Sequence, residues 1–342
     1  MFSVVIGAAL VLSFLVYLFI GFRLGKSTKS VGDMLPISVG KQASVRNSSE
    51  FSASTVATTI SLATVVVAFF ELAPYFGVWL FWCVLTTSLG IFAVRLIAPS
   101  IWKRLASYDN RPSLHEFLGV EYQSDKLAFV GAICTSLGFL GAFAVELTVG
   151  SRFLSGLIQG LPQWLVVAVL SAVSFVYTSA GGFRAVVLTD KIQMVAIWLL
   201  LISLSAFMVY HISSTGGLAV NLEKIPADVK SFTWRPGLGA FMIGIFVINI
   251  LSYMADMSIW QRIAASDKPE TVLKGLASSV SISAITWTIL VALACLTFMV
   301  VKPETGENPL ITLLAYLGFQ MGVGGKIVLF MVVLGLFGAM LS

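Results

Sequence analysis

Long apolar stretches recur from one end of this chain to the other, and they constrain its fold more than any other feature. A helix needs roughly 20 mostly apolar residues to cross about 30 Å of hydrocarbon. Stretches of that kind are expected at about 2–22, 52–72, 77–102, 127–157, 162–180, 188–211, 237–260, 275–301 and 326–342. Lipid offers the backbone no hydrogen-bond partner, so a spanning segment must be a helix or part of a closed barrel. No alternating strand pattern runs through the sequence, which leaves helices. The chain therefore reads as an all-α polytopic membrane protein. Composition agrees: 58% of the 342 residues are hydrophobic and 11% charged, against about 25% charged in a typical soluble domain.

The formal net charge of +5 raises nucleic acid as a partner, but the basic residues fall mostly between spans, where they set topology. Alternating sides from the first span puts fourteen on one face: Arg23, Lys26, Lys29, Lys41, Arg46, Lys103, Arg104, Arg111, Lys126, Arg184, Lys191, Arg262, Lys268 and Lys274. The other face receives six: Arg152, Lys224, Lys230, Arg235, Lys302 and Lys326. The richer face is assigned to the cytoplasm, which places the N-terminus outside. The first span has no basic leader and no small-residue cleavage site, so it is expected to be retained rather than removed as a signal peptide. Cys83, Cys134 and Cys295 sit in apolar segments without metal-ligand spacing and read as packing residues. No His/Cys cluster, nucleophile with a base, or phosphate-cradling loop points to an enzyme.

Polar side chains inside spans are costly and mark functional candidates by default. The second span carries Ser52, Ser54, Thr58, Thr59, Ser61 and Thr64 in its first half, with Glu71 near its end. Composition leaves two readings open. The hydroxyls let helices pack closely in lipid, or they mark a broken helix whose freed carbonyls bind a cation. Pro74, Tyr75 and Gly77 read as the turn that closes this span, and Arg95 in the third snorkels to the interface. In the following loop Ser113 and Glu116 have the spacing of a capping box, and His115 reads as a solvated surface residue. Glu146 stands well inside the fourth span, with Arg152 too far round the helix to be an obvious partner. Facing a cavity, Glu146 would recognise an amine or amide; otherwise it belongs to an internal pair. The loop 212–236 reads as an ordered cap. Asn249 in span seven either faces a cavity through local unwinding or ties helices together. Asn308-Pro309 starts a short apolar helix.

Two of the spans are joined by Tyr177 to Gln193, YTSAGGFRAVVLTDKIQ. A Gly181-Gly182 break ends one apolar helix, and the next opens with Asp190, a carboxylate that must be paired, hydrated or bound to a cation. The stretch resembles the signature of the sodium/solute symporter family in Tyr177, Gly181, Gly182, Ala185, Val186, Thr189, Asp190 and Gln193. Ala57, Ile60 and Ser61 are similar to the family's first core helix. So are Pro112, Glu116 and Leu118 to a loop segment, Gln261-Arg262 to the close of a later span, and Ala339 with Ser342 to the last one.

The resemblance implies a LeuT-type fold, an inverted repeat with an extra N-terminal helix. Residues 1–50 would hold that helix and a cytoplasmic loop, 51–211 the first five-helix repeat and 212–236 an outer loop. Residues 237–342 would hold three helices of a truncated second repeat, as in a fragment of a longer protein. It also implies a sodium ion held by the carbonyls of Ala57, Ile60 and Ala339 and the hydroxyl of Ser342. Oxygen donors of this kind suit a hard cation. Asp190 would lie on the ion's route at the cytoplasmic mouth, and Thr64, Glu146 and Asn249 would face the solute. The implied function is sodium-coupled symport of a small organic solute across the cytoplasmic membrane. Glu71 and Glu146 favour a solute with donor groups, such as an amino acid or a urea-like amide, over a dicarboxylate, with a sugar as the alternative. The partners are that solute and the lipid bilayer, not nucleic acid. The rival function is a membrane sensor domain of the same family attached to a histidine kinase.

Overall fold

The computed structural model describes residues 2–26, 44–108, 112–158, 160–304 and 306–341. Lys29, Lys41, Arg111 and Ser342 lie outside them. Among the described residues the architecture is helical, and the one isolated bridge of extended backbone joins Val45 to Ser266. Helix α1 spans Phe2–Gly25. Helix α2, Ser48–Thr59, is capped by Asn47, whose side chain accepts from the Glu50 amide at 2.9 Å. A π turn over Leu62–Val67 then leads into α3, Ala68–Phe76. Helix α4 covers Phe81–Leu105, and α5, Leu114–Glu121, starts with the capping box expected from Ser113 and Glu116. Helix α6 is Asp125–Leu157 and α7 is Gln163–Ser214. Two short helices, α8 (Gly217–Lys224) and α9 (Ala227–Lys230), make up part of the expected cap.

The remaining elements begin with α10, Leu238–Phe246, a π turn Val247–Leu251 and α11, Ser252–Ala255. Asp256 is extended there, and α12, Met257–Ala264, follows it. Helix α13 spans Pro269–Leu296. Helix α14, Pro309–Gln320, is the short apolar helix expected, with Asn308 capping it through the Leu310 amide at 2.8 Å. Helix α15, Gly322–Leu341, is last.

Among the described residues seven segments are long and apolar enough to cross a membrane, where the sequence suggests nine spans. The difference lies in two of them, Gln163–Ser214 with 52 residues and Leu62–Leu105 with 44. Each is about twice the length of one crossing, and each is divided at a glycine in left-handed backbone. Those glycines are Gly182 at φ 61° and Gly77 at φ 50°. Gly182 has ψ −164°, a region that a residue with a Cβ essentially does not enter. The turn is made by this single residue, so helix resumes at Phe183 rather than near position 188. Arg184 and Lys191, expected on a loop, therefore stand on a helix. Arg262 and Lys274 likewise sit on α12 and α13.

Helix α7 is the hub, with α1, α15 and α2 packed against it, while α13 lies against α4 and α2. Lipid tails are as apolar as leucine, so association depends on close packing rather than on expelling water. The main core joins Ile6, Leu62, Phe70, Leu201, Leu290 and Leu336, one from each of six elements: α1, the Leu62–Val67 π turn, α3, α7, α13 and α15. Gly182→Ala is expected to cost about 1–3 kcal/mol, because alanine does not fit that backbone. Gly7→Ala is the control, since nothing lies within 4 Å of its new methyl. Thermal unfolding of the purified protein in detergent checks both: a clear fall in Tm for the first and none for the second.

Candidate functional site

The second span is broken, as one of its two sequence readings required. Helix α2 ends at Thr59, Ile60 leaves the helical region at φ −110°, ψ 78°, and Ser61 is extended at φ −77°, ψ 144°. In a continuous helix the amides of Ala63 and Thr64 would bond the carbonyls four residues back, those of Thr59 and Ile60. Here both turn to side chains. Ala63 N donates to Glu146 Oε1 and Oε2, each at 3.2 Å, and Thr64 N donates to Ser61 Oγ at 3.0 Å. The Ser61 hydroxyl donates in turn to Glu146 Oε1. Backbone pairing resumes with the π-type bond from Val66 N to the Ser61 carbonyl at 3.0 Å. The carboxylate of α6 thus completes an interrupted helix in another part of the bundle.

A cavity of about 1010 Å³ opens beside this break, between α2, α6, the first half of α7 and the end of α15. Thr58, Ser61, Thr64 and Glu146 face it, together with Tyr177 and Ala339. Glu146 is the charged residue in its wall, and no Lys or Arg lines it among the described residues. Ile60 and Ala339 also meet at a small void of about 10 Å³, space for about one water-sized particle. Three expected oxygen donors, on Ala57, Ile60 and Ala339, thus belong to two elements that approach each other at the break. Ser342 lies outside the described residues. Oxygens at an interrupted helix fit a hard monovalent cation better than any soft metal.

Asp190 does not stand open at a mouth. Its side chain is 1% exposed and pairs with Arg262, 3% exposed, at 3.0 Å from Nη2 to Oδ2. Ser54 closes the triangle, donating to Asp190 Oδ2 and accepting from Arg262 Nε at 2.7 Å. Arg262 Nη1 also donates to the Ser258 carbonyl at 2.8 Å. The early restart of α7 after Gly182 carries Asp190 about two turns into the bundle. Burial at that depth demands a counter-charge, and α12 supplies it from 72 positions away. A second pair holds the start of α2: Arg184 Nη1 and Nη2 grip Glu50 Oε2 and Oε1 at 2.6 and 2.9 Å. Nη1 of Arg184 also reaches the Ser44 carbonyl at 2.7 Å.

Asn249 does not face the cavity. Its amide nitrogen donates to Thr86 Oγ1 and Thr87 Oγ1, each at 3.0 Å, and so ties the π turn of span seven to α4. Gly90, one turn on along α4, leaves room for the Asn249 backbone to come close. The extended interruption in that span falls instead at Asp256, which caps α12 through the Ser258 amide at 2.7 Å. Glu71 lies outside the cavity and accepts from Asn308 Nδ2 at 2.9 Å. His115 is half-buried and bonded to Thr135 Oγ1 at 2.9 Å rather than simply solvated. Sequence reasoning missed Ser54, Arg262, Glu50 and Arg184 as a set. The signal available was a buried carboxylate without a local partner, which requires a distant cation without saying which one.

A family model described as the sodium:solute symporter family matches residues 30–342. A sodium/pantothenate symporter of Escherichia coli (strain K12) is 30% identical over 115 residues, covering 34% of this chain and 23% of the relative. A sodium/sialic acid symporter of Aliivibrio fischeri (strain ATCC 700601 / ES114) is 23% identical over 183 residues, covering 51% of this chain and 35% of the relative. Both matches span well under two thirds of the relatives' own lengths. A structure described as the substrate-bound outward-open state of a Na+-coupled sialic acid symporter superposes with a TM-score of 0.74. It is 18% identical, with 98% of this chain and 70% of that chain covered, and it shows the LeuT-type fold.

Removing one partner of the buried pair leaves the other charge unpaired, at a cost of about 3–5 kcal/mol. Arg262→Ala is therefore expected to lower the Tm markedly, and adding Asp190→Asn to it should recover part of the loss. Equal stability of the wild type and the Arg262→Ala variant would contradict the pairing.

Proposed function

The chain belongs to the sodium:solute symporter family, and on that premise we propose that it carries out sodium-coupled symport of a small organic solute across the cytoplasmic membrane. The observation that carries the reading is the interruption at Ile60 and Ser61 beside a cavity that Thr64 and Glu146 line. Sodium enters as a co-transported substrate. The carbonyls of Ala57, Ile60 and Ala339 and the hydroxyl of Ser342 would hold it, between the first core helix and α15. An ion bound there joins two elements that must move apart to empty the site. Its binding energy therefore favours one arrangement of the repeats over the other.

Residues 51–211 would act as one five-helix repeat and 237–342 as part of the second. Asp190 would lie on the ion's inner route, but only after its bond to Arg262 is broken. In the arrangement described, the Ser54–Asp190–Arg262 triangle and the Arg184–Glu50 pair hold α2 against α7 and α12. With those bonds in place the proposed route would be closed. The solute would lie against Thr64 and Glu146. A carboxylate without a neighbouring cation accepts N–H groups and repels anions. This supports an amino acid amine or a urea-like amide over a dicarboxylate.

Uptake by the whole protein in proteoliposomes tests the reading, with a panel of radiolabelled amines, amides and carboxylates. Accumulation is expected to require an inward sodium gradient and to vanish when the gradient is dissipated. Ser342→Ala is expected to raise the sodium concentration for half-maximal uptake about tenfold, the equivalent of about 1.4 kcal/mol. Accumulation indifferent to sodium would reject the proposal.

A further inference from the structure

Two backbone amides beyond the break, those of Ala63 and Thr64, are withheld from the carbonyls of Thr59 and Ile60 by one chain of bonds that ends at Glu146. Ala63 N donates to both of its oxygens, at 3.2 Å each. The Ser61 hydroxyl donates to Oε1, and Thr64 N donates to the same hydroxyl oxygen at 3.0 Å. A hydroxyl has one proton and two lone pairs. Once its proton is committed to the carboxylate, its lone pairs are left to receive Thr64 N–H. The Ile60 carbonyl, which Thr64 N–H would otherwise cover, stays available. Glu146 is half-buried on α6, an element separate from the one it completes, and is 85 positions from Ser61.

We propose that Glu146 is a positioning residue for the ion site. Its carboxylate holds the Ser61–Thr64 turn open so that the carbonyls of Thr59 and Ile60 remain free to face a cation. This rests on the sodium reading above and adds a role distinct from contact with solute. Glutamine in this place keeps an acceptor oxygen for Ala63 N–H and the Ser61 hydroxyl, whereas alanine keeps none. Position and charge therefore make different predictions. A residue that acts by charge loses its effect equally in both variants; one that acts by position loses it only in alanine.

The test uses the whole purified protein in detergent and sodium alone as the ligand. Thermal stability is titrated with sodium chloride against choline chloride, and hydrogen–deuterium exchange is followed in the segment 60–67. In Glu146→Ala the sodium needed for half-maximal stabilisation is expected to rise about tenfold, and in Glu146→Gln by less than about threefold, tenfold being about 1.4 kcal/mol. Exchange across 60–67 without sodium should be faster in Glu146→Ala and close to wild type in Glu146→Gln. Ser61→Ala provides a second route to the same loss, since Thr64 N–H then has no hydroxyl to meet. Equal weakening in Glu146→Gln and Glu146→Ala, or no change in either, would overturn the proposal. A wild type whose stability ignores sodium would overturn the sodium reading together with the ion-site role. Exchange in 60–67 would still decide whether Glu146 anchors the break.

Discussion

Backbone groups inside a bilayer must be satisfied by the protein itself, and the interruption of the first core helix at Ile60 and Ser61 is where that requirement presses hardest. The amides freed at Ala63 and Thr64 each find a side-chain partner there. Asn47 caps the helix below, Ser61 takes the Thr64 amide, and Glu146 takes the Ala63 amide from a different helix. Thr64 N–H is thereby kept off the Ile60 carbonyl, and Ala339 of α15 meets Ile60 at the same small void.

The second demand is electrostatic. Asp190 is buried where an unpaired charge is costly, and Arg262 and Ser54 lie against it as partners. The same triangle joins α2, α7 and α12, three elements that a symport cycle would have to separate. A buried pair is weak evidence for net stability but good evidence for a specific arrangement. The Arg184–Glu50 pair repeats the design at the start of α2. Together they tie the lower half of the broken helix, while its upper half is tied by Glu146.

Much of this was legible in the sequence, because the local signals were chemical. Hydrophobic run length located the spans, Gly181-Gly182 located a helix break, and Asn308-Pro309 and Ser113 with Glu116 marked helix starts that the structure confirms. The family signature around Tyr177 to Gln193 identified the family. What escaped were bonds between residues far apart in the chain. Nothing near Asp190 points to Arg262, which reads as one more loop charge until α12 folds back. Asn249 has the same composition of surroundings whether it faces a cavity or Thr86, and only the packing of α4 decides. Glu146 was recognised as a functional candidate, but its bond to the break depends on α6 crossing the first core helix at Ser61.

Whether the interruption at Ile60 and Ser61 holds sodium is decided by a high-resolution structure of the whole protein prepared in sodium, compared with one in potassium. Density for an ion is expected in the sodium form, coordinated by the carbonyls of Ala57, Ile60 and Ala339, with Glu146 still bonded to Ser61 and Ala63. Absence of that density, or an unbroken helix through residues 57–64 in sodium, would contradict sodium binding there.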